Sequence, residues 1–326
     1  VSEPWAGDSG LWCVEEVLRD GGYGAVGFTD VVAAPDGSLW ATLPLLNSLA
    51  HLTDTNADRL PDAVTLIRDD LTRPNGITYH DGALYIAGNE HLYRYGITDD
   101  ALTVLADDLP FGWTGYPTGG VATADDRIYV GAGGDGACTP GRGAIYSYNM
   151  GGGDRELVAE GIRSPADLVM RDGVLWAADT VTERVFAVEA GTDYGACSGA
   201  APPAGPAYTF IEGSAPVGLA TYPYDTLPPL TDTLIVALQG VPGTVIVQGY
   251  EVMALEFDGA GVPTSEREVL PVRPRSLNVS EQKLHIQGSG FYPDHVRGVT
   301  VDGNGWVYIT VGSGRVYGLR PLEAIP

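Results

Sequence analysis

Short apolar runs recur along the chain, each pair joined by an Asp/Gly turn and closed by a strand carrying an aromatic residue. Six copies of this unit are visible. The first runs Phe28-Thr-Asp-Val-Val-Ala-Ala-Pro-Asp-Gly-Ser-Leu-Trp-Ala-Thr42 and the second Pro74-Asn-Gly-Ile-Thr-Tyr-His-Asp-Gly-Ala-Leu-Tyr-Ile-Ala-Gly88. Further copies start at Thr118, Ser164 and Val296, while the fifth is broken into Pro216–Ala220 and Thr233–Leu238 by a longer turn. Alternating apolar positions around an Asp-Gly turn are a hairpin signal. The first-strand markers Val31, Ile77, Val121, Leu168, Leu219 and Val299 are spaced by 46, 44, 47, 51 and 80 residues. A four-stranded propeller blade takes roughly 40–50 residues. The pattern therefore predicts an all-β fold: one six-bladed β-propeller domain over residues 1–326, built of four-stranded antiparallel blades.

Outer strands are expected between the markers, for instance His91–Tyr95 with Leu102–Leu105 and Ala144–Tyr148 with Glu156–Ala159. The long last interval implies an insertion within Gln239–Gly249 or Arg273–Gly290. Arg315–Leu319 would be the third strand of the last blade and Leu11–Val17 its fourth. Such pairing of the chain ends removes open sheet edges.

Composition fits this picture, since 45 Gly and 23 Pro in 326 residues leave little room for long helices. The 42 acidic and 18 basic residues give a formal charge of −24, and Lys283 is the sole lysine. That balance argues against nucleic-acid binding and against anionic lipid surfaces, both of which need a cationic face. No run approaches the roughly 18–20 apolar residues of a membrane span. The chain begins at Val1 rather than Met, which points to a removed leader or to preceding residues. Cys13, Cys138 and Cys197 form no metal-binding cluster. Cys138 and Cys197 each close a Gly-Ala-Cys turn and are the expected disulfide. Asn278-Val-Ser280 matches the glycosylation acceptor pattern, and the glycine clusters Gly133–Ala137 and Gly151–Gly153 read as turns, since no helical pattern follows either.

Arg73-Pro-Asn-Gly-Ile-Thr-Tyr-His-Asp-Gly-Ala-Leu-Tyr-Ile-Ala87 followed by His91-Leu-Tyr-Arg-Tyr95 resembles the sorbosone dehydrogenases and soluble quinoprotein glucose dehydrogenases. The likeness continues through Gly161–Pro165, Asp193–Cys197, Val236–Gly240 and Gly249–Val252, and spans about Asp30 to Leu319. It implies an extracytoplasmic protein and, in an active member, pyrroloquinoline quinone (PQQ) held with Ca²⁺, a histidine base and an arginine over the cofactor. Arg163 matches that arginine. The base is missing from Phe111–Gly120, where Tyr116 is the nearest titratable group and a phenol is a poor base at neutral pH. Gln239-Gly-Val-Pro242 has neither charge nor aromatic ring. The resemblance thus implies a degenerate catalytic site.

Candidate sites follow from spacing. Asp54, Asn56, Asp58, the Leu60 carbonyl and Asp62 fall at the alternate positions of a Ca²⁺ loop, although Arg59 stands where a glycine is usual and Thr65 where an acid is. The expected role is structural, against the alternative of a plain acidic turn. Asp30, Asn75, Asp167 and Arg297 open innermost strands. With Arg163, Tyr116 and His295 they are expected at one channel mouth, where propeller loops converge. Arg163 and His295, which follows Asp294, are the catalytic candidates. Asn75 and Asp167 also suit turn caps. Three functions compete: a noncatalytic propeller binding a protein or carbohydrate partner at its mouth or rim, a PQQ- and Ca²⁺-dependent sugar or aldehyde dehydrogenase, and a metal-dependent lactonase. The last rests on likeness to gluconolactonase-type propellers in Pro74–Gly76 and Asp167, with Asn75, Asp167 and Asp30 as ligands.

Overall fold

A computed structural model describes residues 7–8, 12–19, 27–199, 201, 205, 207–240, 250–270 and 295–321. The potential insertions and the Asn278 acceptor site lie wholly or largely outside these residues, as do Asp294 and Lys283. Among the described residues the helical content is two short 3₁₀ turns, Pro44–Leu46 and Pro228–Leu230. The rest is strand and turn. Six sheets, each containing a four-stranded antiparallel meander, make the chain an all-β six-bladed propeller. The first blade has strands Val31–Ala33, Leu39–Leu43, Ser48–Thr53 and Ala63–Arg68, in that order.

Two compact units divide the chain, one within 42–49 and 67–210, the other within 1–41, 50–66 and 211–326. The first holds the second, third and fourth blades, beginning at Pro74, Val121 and Pro165. Tyr85 and Ala87 pack with Val130 and Tyr146 in one core cluster, and Ala122 and Ile145 with Leu168 and Phe186 in another. Central strands are largely buried, Ala83–Gly88 along its whole length, because both sheet faces are covered. Outer strands such as Glu156–Glu160 are largely exposed. Innermost strands approach so closely that a Cβ on Gly76 would lie 2.4 Å from the Gly119 carbonyl oxygen, and one on Gly120 only 2.3 Å from the Asp167 Cα. Only glycine fits there.

Thr192–Asp193 adds a short parallel strand to Glu156–Glu160, although it belongs to the excursion between Arg184–Ala187 and Ala207–Thr209 of the fourth blade. Cys138 and Cys197 are disulfide-bonded with their Cα atoms 5.6 Å apart, as the paired turns suggested. Cys13 takes no part in that bond.

In the other unit, Arg315–Pro321 pairs with Trp12–Arg19, so the last blade is closed by an N-terminal strand as expected. A further short strand, Gly7–Asp8, extends that sheet. The fifth copy of the repeat, irregular in sequence, is regular in structure: Pro216–Tyr222 pairs with Thr233–Leu238. Its longer turn is organised by the Tyr222 hydroxyl, which accepts the Leu227 N–H and donates to the Gly305 carbonyl.

His51 stacks on Trp40, ring centroids 4.0 Å apart, and its Nε2 is buried without a hydrogen-bond partner among the described residues. Burial pushes its pKa below the ordinary 6.5, and Asp36 opposes only in part. The folded state disfavours the charged ring, so the unfolded chain takes up the proton first. Stability is therefore full above the unfolded value and declines as pH falls through 6.5 toward the lower folded value. Thermal melts should show the midpoint dropping over this window, with the drop reduced in His51→Phe; an unchanged slope would rule out His51 as the cause.

Candidate functional site

The connection 107–120, between the last strand of the second blade and the first of the third, carries three aromatic residues outside any strand: Phe111, Trp113 and Tyr116. With no sheet to bury them, they border a cleft of about 280 Å³ whose opposite side is made by Leu45, Arg73, Asn75 and Asn89. Trp113 is 79% exposed and Leu45 65%. Phe111 meets Trp113 edge to face at 5.3 Å. The Arg73 guanidinium stands 5.7 Å from the indole centroid, within cation–π range.

Backbone and amide contacts fix this geometry. Arg73 adopts a left-handed φ of 45°, and its N–H donates to the Asn47 Oδ1. The Asn75 Nδ2 donates to the carbonyls of Arg73 and Thr118, at 3.3 and 3.1 Å. Carbonyls only accept, so the amide is oriented and its Oδ1 is left without a donor among the described residues. Asn89 is 3% exposed, and its carbonyl accepts the Thr118 hydroxyl. Its side-chain amide makes no hydrogen bond among the described residues.

Behind the cleft, Arg142 holds the loop in place. Its side chain is 3% exposed and bonds Asp135, 2.8 Å away. It also donates to the carbonyls of Thr114 and Tyr116 on the loop and to Gly133 and Gly134. Thr139, through its N–H and then its hydroxyl, and next Arg142 hold the Asp135 carboxyl below the ordinary carboxylate range. Gly115, at φ 95°, lies against this pair, where a Cβ would come 2.8 Å from that of Asp135.

Of the residues expected at one mouth, the structure brings Asn75 and Tyr116 into the same cleft. Arg163 lines a different cavity of about 240 Å³ beside the disulfide, with Glu160 and Asp193. Asp167 is buried and its Oδ1 accepts the following N–H, of Leu168, as a strand-opening cap would. In the other unit, Asp30 does the same for Val31. His295 directs Nδ1 to the Gln239 carbonyl at 3.1 Å, which makes Nδ1 the donor and leaves Nε2, 3.4 Å from the Tyr250 hydroxyl, as acceptor. Arg297 is half-buried where the last blade's innermost strand bulges.

The Asp54–Asp62 loop turns its oxygens onto its own backbone. Asp54 accepts the N–H groups of Asn56, Ala57 and Arg59, Asn56 that of Asp58, and Asp58 that of Leu60, while Asp62 binds Thr55. Among the described residues no three acidic, histidine or cysteine side chains cluster to hold a metal.

Sequence reading missed Arg73, Asn89, Trp113 and Arg142 as site residues. The available signal was the set of aromatics in Phe111-Gly-Trp-Thr-Gly-Tyr-Pro117, which fits no strand and so requires another reason to be there.

No protein-family model matches the sequence, and no curated protein matches it. Solved structures share the fold. The calcium structure of a Trichoderma reesei carbohydrate-active enzyme of family AA12 has a TM-score of 0.69 at 14% identity, covering 98% of each chain. The PQQ-bound aldose sugar dehydrogenase of Streptomyces coelicolor gives 0.65 at 15% identity, covering 94% of this chain and 98% of that one. A streptogramin B lyase gives 0.57 at 12%, covering 98% and 100%. At these identities the likeness is one of fold.

One of these structures, the Streptomyces coelicolor enzyme, holds PQQ, and the side chains of the cleft can be tested against that group. PQQ is a planar tricarboxylate that needs several converging cations. Here the cleft supplies Arg73 alone, Arg163 lines the other cavity, and Arg142 is consumed by Asp135 and backbone carbonyls. Among the described residues no histidine lines the cleft with Tyr116 to serve as base. These residues do not fit the cofactor.

Proposed function

We propose that this chain is a noncatalytic, extracytoplasmic propeller that binds carbohydrate in the cleft between Arg73 and Trp113. The observation that carries the reading is the pairing of exposed aromatic faces with amides that have unused hydrogen-bonding capacity. A pyranose offers apolar C–H faces to a ring such as Trp113 and hydroxyls to the Asn75 Oδ1 and the Asn89 amide. The volume of about 280 Å³ lies just under the roughly 300–1,000 Å³ of drug-sized sites, which suits a single sugar unit. The disulfide supports an oxidising compartment. No helix among the described residues is long and apolar enough to cross a membrane.

Titration of simple glycosides by calorimetry tests the reading. Trp113→Ala should weaken binding by roughly five- to thirtyfold, about 1–2 kcal/mol, because the stacking face is lost. Its high exposure predicts an unchanged melting temperature. Equal affinity in the variant would place the sugar elsewhere. The dehydrogenase reading is favoured by the fold relatives and opposed by the donor set. Dye reduction with aldoses after loading with PQQ and Ca²⁺ would reinstate it and overturn the noncatalytic one. For the Asp54–Asp62 loop, a Ca²⁺-dependent rise in melting temperature is the signature of a structural ion; its absence leaves an acidic turn.

A further inference from the structure

The cleft contains a cation, Arg73, that has no carboxylate partner among the described residues. The chain has 42 acidic residues against 18 basic ones, so an arginine readily finds a carboxylate. Arg68, Arg127, Arg142, Arg155, Arg171 and Arg267 each do, whereas Arg59, Arg94, Arg163 and Arg184, like Arg73, have no ion pair among the described residues. Arg73 has no ion pair and no side-chain hydrogen bond among the described residues, and no acidic side chain lines its cleft. The nearby Asp135, behind Gly115, is bound to Arg142. The guanidinium rests instead near the Trp113 ring, which orients the group but satisfies none of its N–H donors.

Three features thus converge in one cleft: an aromatic platform, a guanidinium 5.7 Å from its ring centroid with no ion pair among the described residues, and the Asn89 amide, which makes no hydrogen bond among the described residues. A neutral sugar would use the platform and the amides and leave the guanidinium idle. A ligand bearing a carboxylate would use all three, since the planar fork of arginine matches a carboxylate with two parallel N–H···O bonds. Building on the carbohydrate reading above, we infer that the cleft selects acidic sugars of the uronate class, the ring stacked on Trp113 and its carboxylate paired with Arg73. In a chain of formal charge −24, an acid-free cleft with a single cation is the kind of local field that singles out an anionic group from a repelling surface.

The test compares methyl β-D-glucuronide with methyl β-D-glucoside, which differ only in carboxylate against hydroxymethyl and whose blocked anomeric carbon prevents oxidation at that position. Calorimetry at about 0.15 M salt keeps the repulsion of distant surface charges screened. The uronide should bind about fivefold tighter, near the upper limit for an exposed ion pair, because Arg73 is exposed. Arg73→Gln should lower the uronide affinity to about that of the glucoside and so erase the preference. Trp113→Ala should weaken both ligands. Equal affinities for the two glycosides, or a preference that survives Arg73→Gln, would overturn the acidic-sugar inference and leave carbohydrate binding standing. Binding of neither glycoside would overturn both.

Discussion

Replacing Arg142 by methionine is expected to destabilise the protein by about 3 kcal/mol, the cost of leaving buried acceptors without their donor. The side chain is 3% exposed and serves carbonyls at Gly133, Gly134, Thr114 and Tyr116 together with the Asp135 carboxylate. Methionine fills similar space but donates nothing. Denaturant unfolding should show a lower midpoint at unchanged slope, which marks a loss of stability rather than a change in the unfolded ensemble. Because Thr114 and Tyr116 follow Trp113 on the same loop, sugar binding should fall as well. A second substitution, Asp135→Leu, should recover part of the loss, since a buried pair costs less to replace whole than to break. A midpoint indistinguishable from wild type in the single variant would show that water replaces the guanidinium and that the clasp is not structural.

Removal of the Cys138–Cys197 disulfide is expected to cost about 4 kcal/mol. The bridge spans 59 residues, long enough for the chain-entropy contribution to be large. In structural terms it ties a loop of the third blade to the excursion of the fourth, where Thr192–Asp193 already leans on Glu156–Glu160. Cys138→Ser with Cys197→Ser should lower the unfolding midpoint, and reducing agent should lower that of wild type to match while leaving the double variant alone. A wild-type protein indifferent to reductant would contradict this. The two predictions are coupled, because Asp135 and Thr139, which hydrogen-bond each other, bracket Cys138. Combining the disulfide and Arg142 variants should therefore cost less than the sum of the two.

Part of the site is legible in the amino-acid sequence. Asn75 stands out by opening an innermost strand and Tyr116 as the titratable group where a base is sought, and both border the cleft. Their roles come from their surroundings. Asn75 is an oriented amide acceptor rather than only a turn cap, and Tyr116 lends a ring wall and a backbone carbonyl held by Arg142. Arg163, matched by resemblance, lines a separate cavity. Arg142 gives no such signal because arginine is ordinarily a surface residue, and nothing local marks the one whose acceptors come from segments nearly thirty residues upstream as well as from its own turn.

The blades themselves are legible because their determinants are local: period-two apolar runs, Asp/Gly turns with left-handed residues such as Asp81 and Gly82, and a spacing near one blade length. Closure by an N-terminal strand can be read in the same way, as can the cysteine pair in its matching turns. The cleft cannot. Leu45, Arg73, Asn89 and Trp113 lie on separate connections, and irregular loops carry no periodicity to say which will meet. Sequence alone determined the repeating sheets; only the tertiary structure decided which loop residues share a site and set Arg73 beside Trp113 with no carboxylate partner among the described residues. Strand pairing is encoded by nearest neighbours along the chain, whereas a binding site is a property of atoms brought together across it.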